Sequence, residues 1–414
     1  MIAEKANELG LSILNKQNQQ IMCPIALHPT IMKQEVYNTI ETITYQLSHV
    51  LNQIACETDI LYSLKQYKDL LTLQLLDQLD VKKSILKDMY QSHLQFGVFS
   101  MRSDFLCEKG KPFLVECNTI AAGMAPLGQL TSTLHKQLGH LVNNDGLTVQ
   151  TEYFISLIKQ FKDSYNVNGI FLVIQQTNEN NIFDHIALAN SLKQKGVQVQ
   201  FCEYQVLCGK IQVSSSNILF YENQPVACAY YRCGYQIEDY YNDFATRMII
   251  ECANCFSIPS IEAQLAGMKP LQQMYGELNS NIKSCLKNIT GLDNISVNLD
   301  QYVLKCSAEG GGACVFGAND INTKIQQILK NDTQNQYFLM ELINPDSEGE
   351  NTFISQKGSE THLNTVTEFG LFSYFQVNME KVVIGGYLAR TKDIATKEGG
   401  VHCGAAVSNS VIFI

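Results

Sequence analysis

The chain has 414 residues, 45% of them hydrophobic and 9% aromatic, which is enough apolar material for two or three packed domains and too much for general disorder. With 40 acidic against 30 basic side chains its formal net charge is −10, and no Lys/Arg run exceeds Lys82-Lys83, so nucleic acid finds no basic stripe. A small polyanion such as a nucleotide is not excluded, because a few cations focused in a cleft suffice to hold it.

The N-terminus, Met1-Ile2-Ala3-Glu4-Lys5-Ala6-Asn7-Glu8, is acidic and polar where a secretory signal needs a basic start and an apolar run. No apolar run approaches the roughly 18 residues of a membrane span. The expectation is a cytoplasmic protein that keeps most of its 14 scattered cysteines as free thiols.

Apolar positions recur at three and four residues in Ile31 to Ile54 and in Leu61 to Leu86, which predicts a helical layer over the first ninety or so residues. Alternation then predicts a hairpin, Phe96 to Phe105 against Pro112 to Asn118, around the turn Glu108-Lys109-Gly110-Lys111. A helix from Pro126 to Leu141 ends at the polar breaker Asn143-Asn144-Asp145-Gly146, read as a subdomain edge. From Asn168 to Ser260 strands and helices alternate: strand Ile170 to Ile174, helix Ile182 to Lys195, strands Val197 to Glu203, Ile218 to Tyr221 and Ala227 to Tyr231, and helix Tyr240 to Asn254. The remainder reads as α+β, with strand Tyr302 to Lys305, helix Ile321 to Leu329, strand Tyr337 to Leu342 and several strands up to Arg390.

The strongest local signal is the strand Tyr302-Val303-Leu304-Lys305 running through Cys306-Ser307-Ala308 into Glu309-Gly310-Gly311-Gly312. It offers a cation, a carboxylate and backbone N–H groups with no Cβ in the way, which suits a polyphosphate and its metal. Lys precedes the glycines and no Gly-Lys-Ser/Thr follows, so it is not a Walker P-loop, and by itself it reads equally well as a surface loop. A second Gly-rich stretch, Glu398-Gly399-Gly400-Val401, follows Arg390-Thr391-Lys392, the arrangement that a lid over a phosphate and a carboxylate needs. Glu116 and Asn118 are two apart on a strand and leave one face; with Glu309 they would suit Mg²⁺, although a solvated pair is the plainer reading. Arg102 and Arg232 end apolar strands, where each would serve as a carboxylate clamp or as a structural ion pair. Cys252-Ala253-Asn254-Cys255 lacks a second pair at zinc spacing, and no Gly-x-Ser-x-Gly element is present.

Taken in order, these segments resemble the eukaryotic type of glutathione synthetase, an ATP-grasp ligase. The likeness rests on Arg102-Ser103-Asp104-Phe105, Glu116-Cys117-Asn118-Thr119-Ile120, Glu179-Asn180-Asn181-Ile182-Phe183-Asp184, Tyr231-Arg232-Cys233-Gly234-Tyr235, Gln264 to Lys269, Val303-Leu304-Lys305, Glu309 to Gly312, Leu339-Met340-Glu341, Thr367 to Gly370, and Arg390 to Lys392 with Gly399-Gly400-Val401. It runs from about residue 90 to the C-terminus, with a weaker helical match before that. What it implies is an ATP-grasp fold of mixed α/β and α+β type, with an N-terminal helical layer. Residues 1–165 with 262–414 would form the nucleotide core, and 166–261 an inserted α/β substrate-binding domain.

The resemblance further implies ligation of glycine to γ-glutamylcysteine, dependent on ATP and Mg²⁺ and passing through an acyl phosphate, in a cytoplasmic homodimer. Glu116, Asn118 and Glu309 would hold two Mg²⁺ ions. Lys269, Lys305, Glu309, Gly310, Gly311, Gly312, Met340, Glu341, Ile343, Glu368 and Lys392 would surround ATP, and Arg102, Glu179, Asn181, Arg232, Tyr235, Arg390 and Val401 would hold the dipeptide or the glycine. Arg102, Arg390 and Lys305 would take catalytic roles.

The chain departs from the family pattern in several places. Cys306-Ser307-Ala308 stands for Pro-Gln-Arg before the Gly-rich loop, Ala313-Cys314 for Asn-Asn, and Phe316 for Tyr. Ala121 and Gly123 stand for two serines, His185 for Gln, Cys233 for Asp and His402 for Ala. Two other readings therefore stand beside the first: a ligase of the same chemistry with a changed dipeptide or acceptor, and a nucleotide-binding relative without catalysis.

Overall fold

The hairpin that the alternation predicts forms one edge of an eight-stranded sheet. Val98–Glu108 turns into Lys111–Asn118 through Lys109 and Gly110, both at positive φ (53° and 71°), as a two-residue turn matched to right-handed strand twist requires. The computed structural model describes residues 2–15, 17–292, 297–306, 314–331, 333–397, 399–401 and 404–414. Across the sheet the order is Gly358–His362, Asn351–Ser355, Ile25–Ala26, Val407–Asn409, Val382–Asp393, Thr365–Gln376, Val98–Glu108 and Lys111–Asn118.

Thr365–Gln376 is buried almost throughout because helices cover both faces of the sheet. Phe369, Leu371 and Phe375 pack with Ile43, Leu47 and Leu51 of helix Gln34–Cys56. Phe372 and Tyr374 point the other way, among Leu127 of helix Ala125–Gln137 and Phe154 of helix Gly146–Tyr165.

A second sheet runs Val199–Glu203, Ile170–Gln175, Gln224–Tyr231, Leu219–Tyr221, Ile211–Val213, with Phe256–Ile258 also pairing on Gln224–Tyr231. Its core pairings are parallel. A third has the order Ile289–Thr290, Tyr337–Glu341, Tyr302–Cys306, Val315–Phe316. Strand alternation splits its side chains: Leu304 and Leu339 pack under Ile321, Ile325 and Ile328 of helix Ala318–Lys330. Val303, Phe338 and Met340 line the opposite face, which Lys305 shares.

The structure corrects the expectation for the N-terminus. Ser12–Leu14, Gln20–Met22, Ile25–Ala26 and Thr30–Met32 are short strands, so Ile31 is sheet and the helix begins at Gln34. Strands of two or three residues carry too little alternation to register as a pattern. The breaker at Asn143 to Gly146 does not end a subdomain but starts the 20-residue helix Gly146–Tyr165, whose Phe154, Leu157 and Phe161 face the core. Asn144 braces that junction, its Oδ1 accepting from the Gly146 and Tyr387 amides. Among the described residues, no helix is long and apolar enough to cross a membrane.

Candidate active site

Along the face that holds Phe372 and Leu388 under the helices, the strands become charged beyond the helix ends. Register pairs Arg102 with Asn118 and Asp104 with Glu116, so all four side chains leave one face of the hairpin. On the neighbouring strands Glu368 lies opposite Arg390, and Lys392 opposite Val366.

Asp104, fully buried, is the hub of this face. Its Oδ1 accepts from Arg102 Nε at 2.6 Å, and its Oδ2 accepts from Arg102 Nη2 at 2.8 Å, Asn118 Nδ2 at 2.9 Å and Arg390 Nη2 at 3.0 Å. Arg390 Nη2 also donates to Glu368. Burial pushes the Glu368 carboxyl up, against the opposing pull of Arg390. Gly370 leaves room for the hub, since a Cβ there would stand 2.4 Å from Asp104 Oδ1 and 2.7 Å from Arg102 Cδ.

Glu116 faces the cations. Burial alone would raise its carboxyl, but Lys269, Lys305, Arg390 and Arg102 together bring it down to about 2. Lys269 Nζ is 3.5 Å from Glu116 Oε2. Lys305 reaches across from the small sheet and donates to the Val115 carbonyl at 3.1 Å; its own pKa is lowered, chiefly by burial and also by Lys269. Lys392 Nζ donates to the Lys397 carbonyl at 3.0 Å. The C-terminal Gly-rich stretch comes down on the same face: a Cβ on Gly399 would lie 2.8 Å from Glu368 Oε2, and Val401 is buried. Met340 is buried on the Lys305 face of the small sheet, Glu341 accepts from Asn288 Nδ2, and Ile343 is half-buried.

A second cluster stands on the inserted sheet. Glu179 Oε1 accepts from the Asn181 amide at 2.7 Å, and burial raises the Glu179 carboxyl against the pull of Arg232. Arg232 is buried; its Nε donates to His185 Nε2 at 2.8 Å and its Nη1 to the Tyr230 hydroxyl at 3.2 Å. Tyr235 donates its hydroxyl to Gln176 Oε1. The segment after the hairpin ties the two clusters together: the Gly123 carbonyl accepts from Arg102 Nη1 at 3.0 Å, and Asp184 Oδ2 accepts from the Met124 amide at 2.9 Å.

Glu116 and Asn118 fit a hard cation. The first is held ionised, and the second commits its amide nitrogen to Asp104, which leaves its carbonyl oxygen as the donor. Glu309, Gly310, Gly311 and Gly312 lie outside the described residues, as do Ser307, Ala308, Ala313 and His402. Among the described residues no group of three or more His, Cys, Asp or Glu side chains converges as a metal site. Cys252 and Cys255 are both free thiols raised by burial, Cys252 to about 11, which disfavours the thiolate.

The residue that sequence reasoning passed over is Asp104. It lies inside the matched segment Arg102 to Phe105, two positions from Arg102, and the alternation rule already put both on one face. The pairing of His185 with Arg232 carried no signal in sequence, because 47 positions separate the partners.

A family model described as the eukaryotic glutathione synthase ATP-binding domain matches residues 4–413. The chain is 26% identical to the chloroplastic glutathione synthetase of Solanum lycopersicum over 76% of its length, and the match spans 64% of that relative. It is 26% identical to the human glutathione synthetase over 79% of its length and 77% of that relative. A solved apo structure of a glutathione synthetase-like effector from Globodera pallida shares the fold, with a TM-score of 0.77 over 100% of this chain and 95% of that one at 16% identity.

Proposed function

The chain belongs to the eukaryotic glutathione synthase family of ATP-dependent ligases, and from that premise we propose that it joins glycine to γ-glutamylcysteine, converting ATP to ADP and phosphate. The observation that carries the reading is the convergence of Lys269, Lys305 and the ionised Glu116 beside the Arg102–Asp104–Arg390 cluster. Cations for a polyphosphate and guanidinium groups for carboxylates meet there on one sheet face.

In this assignment Lys269, Lys305 and Lys392 attract the phosphates, and the Met340 to Ile343 edge of the small sheet takes the base and ribose. Glu116, Asn118 and Glu309 hold Mg²⁺, which when bound neutralises the oxygens of the transferred phosphoryl group. Arg102 and Arg390, fixed by Asp104, orient the dipeptide, and Glu179, Asn181, Arg232 and Tyr235 hold its far end. A carboxylate oxygen of the dipeptide attacks the γ-phosphorus, ADP leaves and an acyl phosphate forms. The glycine amine then attacks the acyl carbon, phosphate leaves and the amine gives up a proton. The Gly399 to Val401 stretch excludes water from the acyl phosphate.

Residues 1–165 with 262–414 are assigned to the nucleotide core and 166–261 to the substrate domain, in a cytoplasmic homodimer. The containment of the second sheet within Ile170 to Ile258 supports that division. The test is phosphate release by purified protein with ATP, Mg²⁺, γ-glutamylcysteine and glycine, each omitted in turn, with the thiol product identified by mass. Release that needs both amino substrates and yields glutathione is the expected result. ATP binding without release under any pairing would replace this reading with a catalytically silent one.

A further inference from the structure

Gly123 has no backbone reason to be glycine. Its φ is not among the positive values, so any L-residue could adopt its conformation. The space is what excludes a side chain: a Cβ there would stand 2.4 Å from Arg232 Nη2 and 2.8 Å from Asn181 Nδ2. The guanidinium of Arg232 therefore occupies the volume in which a residue with a side chain at 123 would carry it.

What holds the guanidinium there is His185. Arg232 is always charged, so its Nε can only donate, and the imidazole accepts at 2.8 Å with an unprotonated Nε2. Tyr230 takes Nη1 at 3.2 Å. Nη2 is left with the Asp184 carboxylate 3.9 Å away and lies against Gly123, in the volume that a side chain there would fill. Asn181 brings its Nδ2 to within 2.8 Å of the same spot, and its buried Oδ1 has no hydrogen-bond partner. A second arginine meets the same residue, as Arg102 Nη1 donates to the Gly123 carbonyl at 3.0 Å.

We propose that Gly123 and His185 act as a coupled pair that sets the position of the Arg232 guanidinium, so that a charged N–H donor, and not a hydroxyl, meets the substrate at residue 123. The group taken there is a carboxylate of the γ-glutamyl dipeptide. Gly123 supplies the room, and His185, a rigid ring with only two side-chain torsions, fixes the approach. A serine at 123 would expel the guanidinium while His185 still holds its Nε. A glutamine at 185 keeps an acceptor for Nε on a longer, more flexible stem and lets the guanidinium step back. Serine at 123 is thus unfavourable beside His185 and tolerated beside a glutamine. The inference rests on the ligase reading for the identity of its ligand.

The experiment is a double-mutant cycle read by calorimetric binding of γ-glutamylcysteine to the full chain in the presence of Mg²⁺ and a non-hydrolysable ATP analogue. The proteins are the parent, Gly123→Ser, His185→Gln and the pair, with ATP-analogue affinity as the control for intact folding. The expected result is a loss of dipeptide affinity of tenfold or more in Gly123→Ser, analogue binding within twofold of the parent, and recovery of most of that loss when His185→Gln is added. Equal dipeptide binding by the parent and Gly123→Ser overturns the proposal. So does a pair whose loss is the product of the two single losses, since the residues would then not act through one guanidinium. Because the readout is binding, a parent that binds the dipeptide but releases no phosphate removes the proposed activity and leaves this inference standing.

Discussion

Asn118 donates its amide to Asp104 across the hairpin at 2.9 Å, and the carboxylate that receives it also fixes Arg102 and Arg390. One buried acid thus aligns Asn118, the proposed metal donor, with the two guanidinium groups proposed to meet the substrate. Asp104→Asn would leave the two guanidinium groups facing an amide. The expected outcome is a stability loss of about 3–5 kcal/mol in denaturant titration, as when one partner of a buried pair is removed. In the folded fraction, the Mg²⁺ concentration for half-maximal activity should rise about 10–100-fold, the usual effect of losing the residue that orients a ligand. An unchanged Mg²⁺ requirement would show that Asn118 needs no such support.

Glu116 sets an acid-side stability term. Its folded carboxyl is brought to about 2 against an unfolded value of about 4.3, so the folded state binds fewer protons in between. The stabilisation is fully present above the unfolded value and is lost as pH falls toward 2. Glu116→Gln should lower stability at neutral pH, flatten the decline between about pH 4.5 and 2, and abolish Mg²⁺-dependent turnover. Unfolding followed at fixed denaturant across that pH range reads the first two effects, and steady-state assays the third.

Lys305 works in the opposite direction. Burial, with Lys269 nearby, lowers its pKa, so the free protein holds this cation at a cost that a triphosphate bound as proposed would relieve. The KM for ATP should therefore rise with pH below the ordinary lysine range near 10.4, as the proton is lost. Lys305→Met should remove that rise and reduce kcat/KM about 10²-fold, the scale for a single charge-stabilising group. A parent protein with a flat KM from pH 7 to the lysine range would place Lys305 away from the phosphates.

The chemistry of the two-residue spacings was legible in sequence, since alternation alone puts Glu116 with Asn118 and Arg102 with Asp104 on one face. The hairpin and the helix Gln34–Cys56 were legible because their periodic patterns are long. What could not be read is whatever depends on partners far apart in the chain. Arg390 meets Asp104 across 286 positions, and Lys305 meets the Val115 carbonyl across 190. The short strands at Ser12–Leu14 and Val411–Phe413 are set by pairing, not by pattern, and helix Gly146–Tyr165 hid behind the same Asn-Asn-Asp-Gly run that begins it.

Two glycines separate packing from backbone freedom. Gly370 is not at positive φ, yet a Cβ on it would meet Asp104 Oδ1 at 2.4 Å inside the fully buried hub. Nothing flexible can yield there, because Asp104 is held by both arginines and Asn118. Gly209 likewise lacks a positive φ, but a Cβ on it would meet nothing within 4 Å. Gly370→Ala should therefore destabilise by about 1–3 kcal/mol through overpacking. Gly209→Ala should be neutral or stabilise by about 0.4–1 kcal/mol, because it only restricts the unfolded chain. Thermal unfolding of the two variants beside the parent separates the cases, and the same measurement on Gly370→Ala with saturating ATP analogue and Mg²⁺ reports whether the distorted hub still supports the proposed nucleotide binding. Equal melting temperatures for the two variants would mean that the sheet yields at Gly370, and that the position of Asp104 is set by its hydrogen bonds alone.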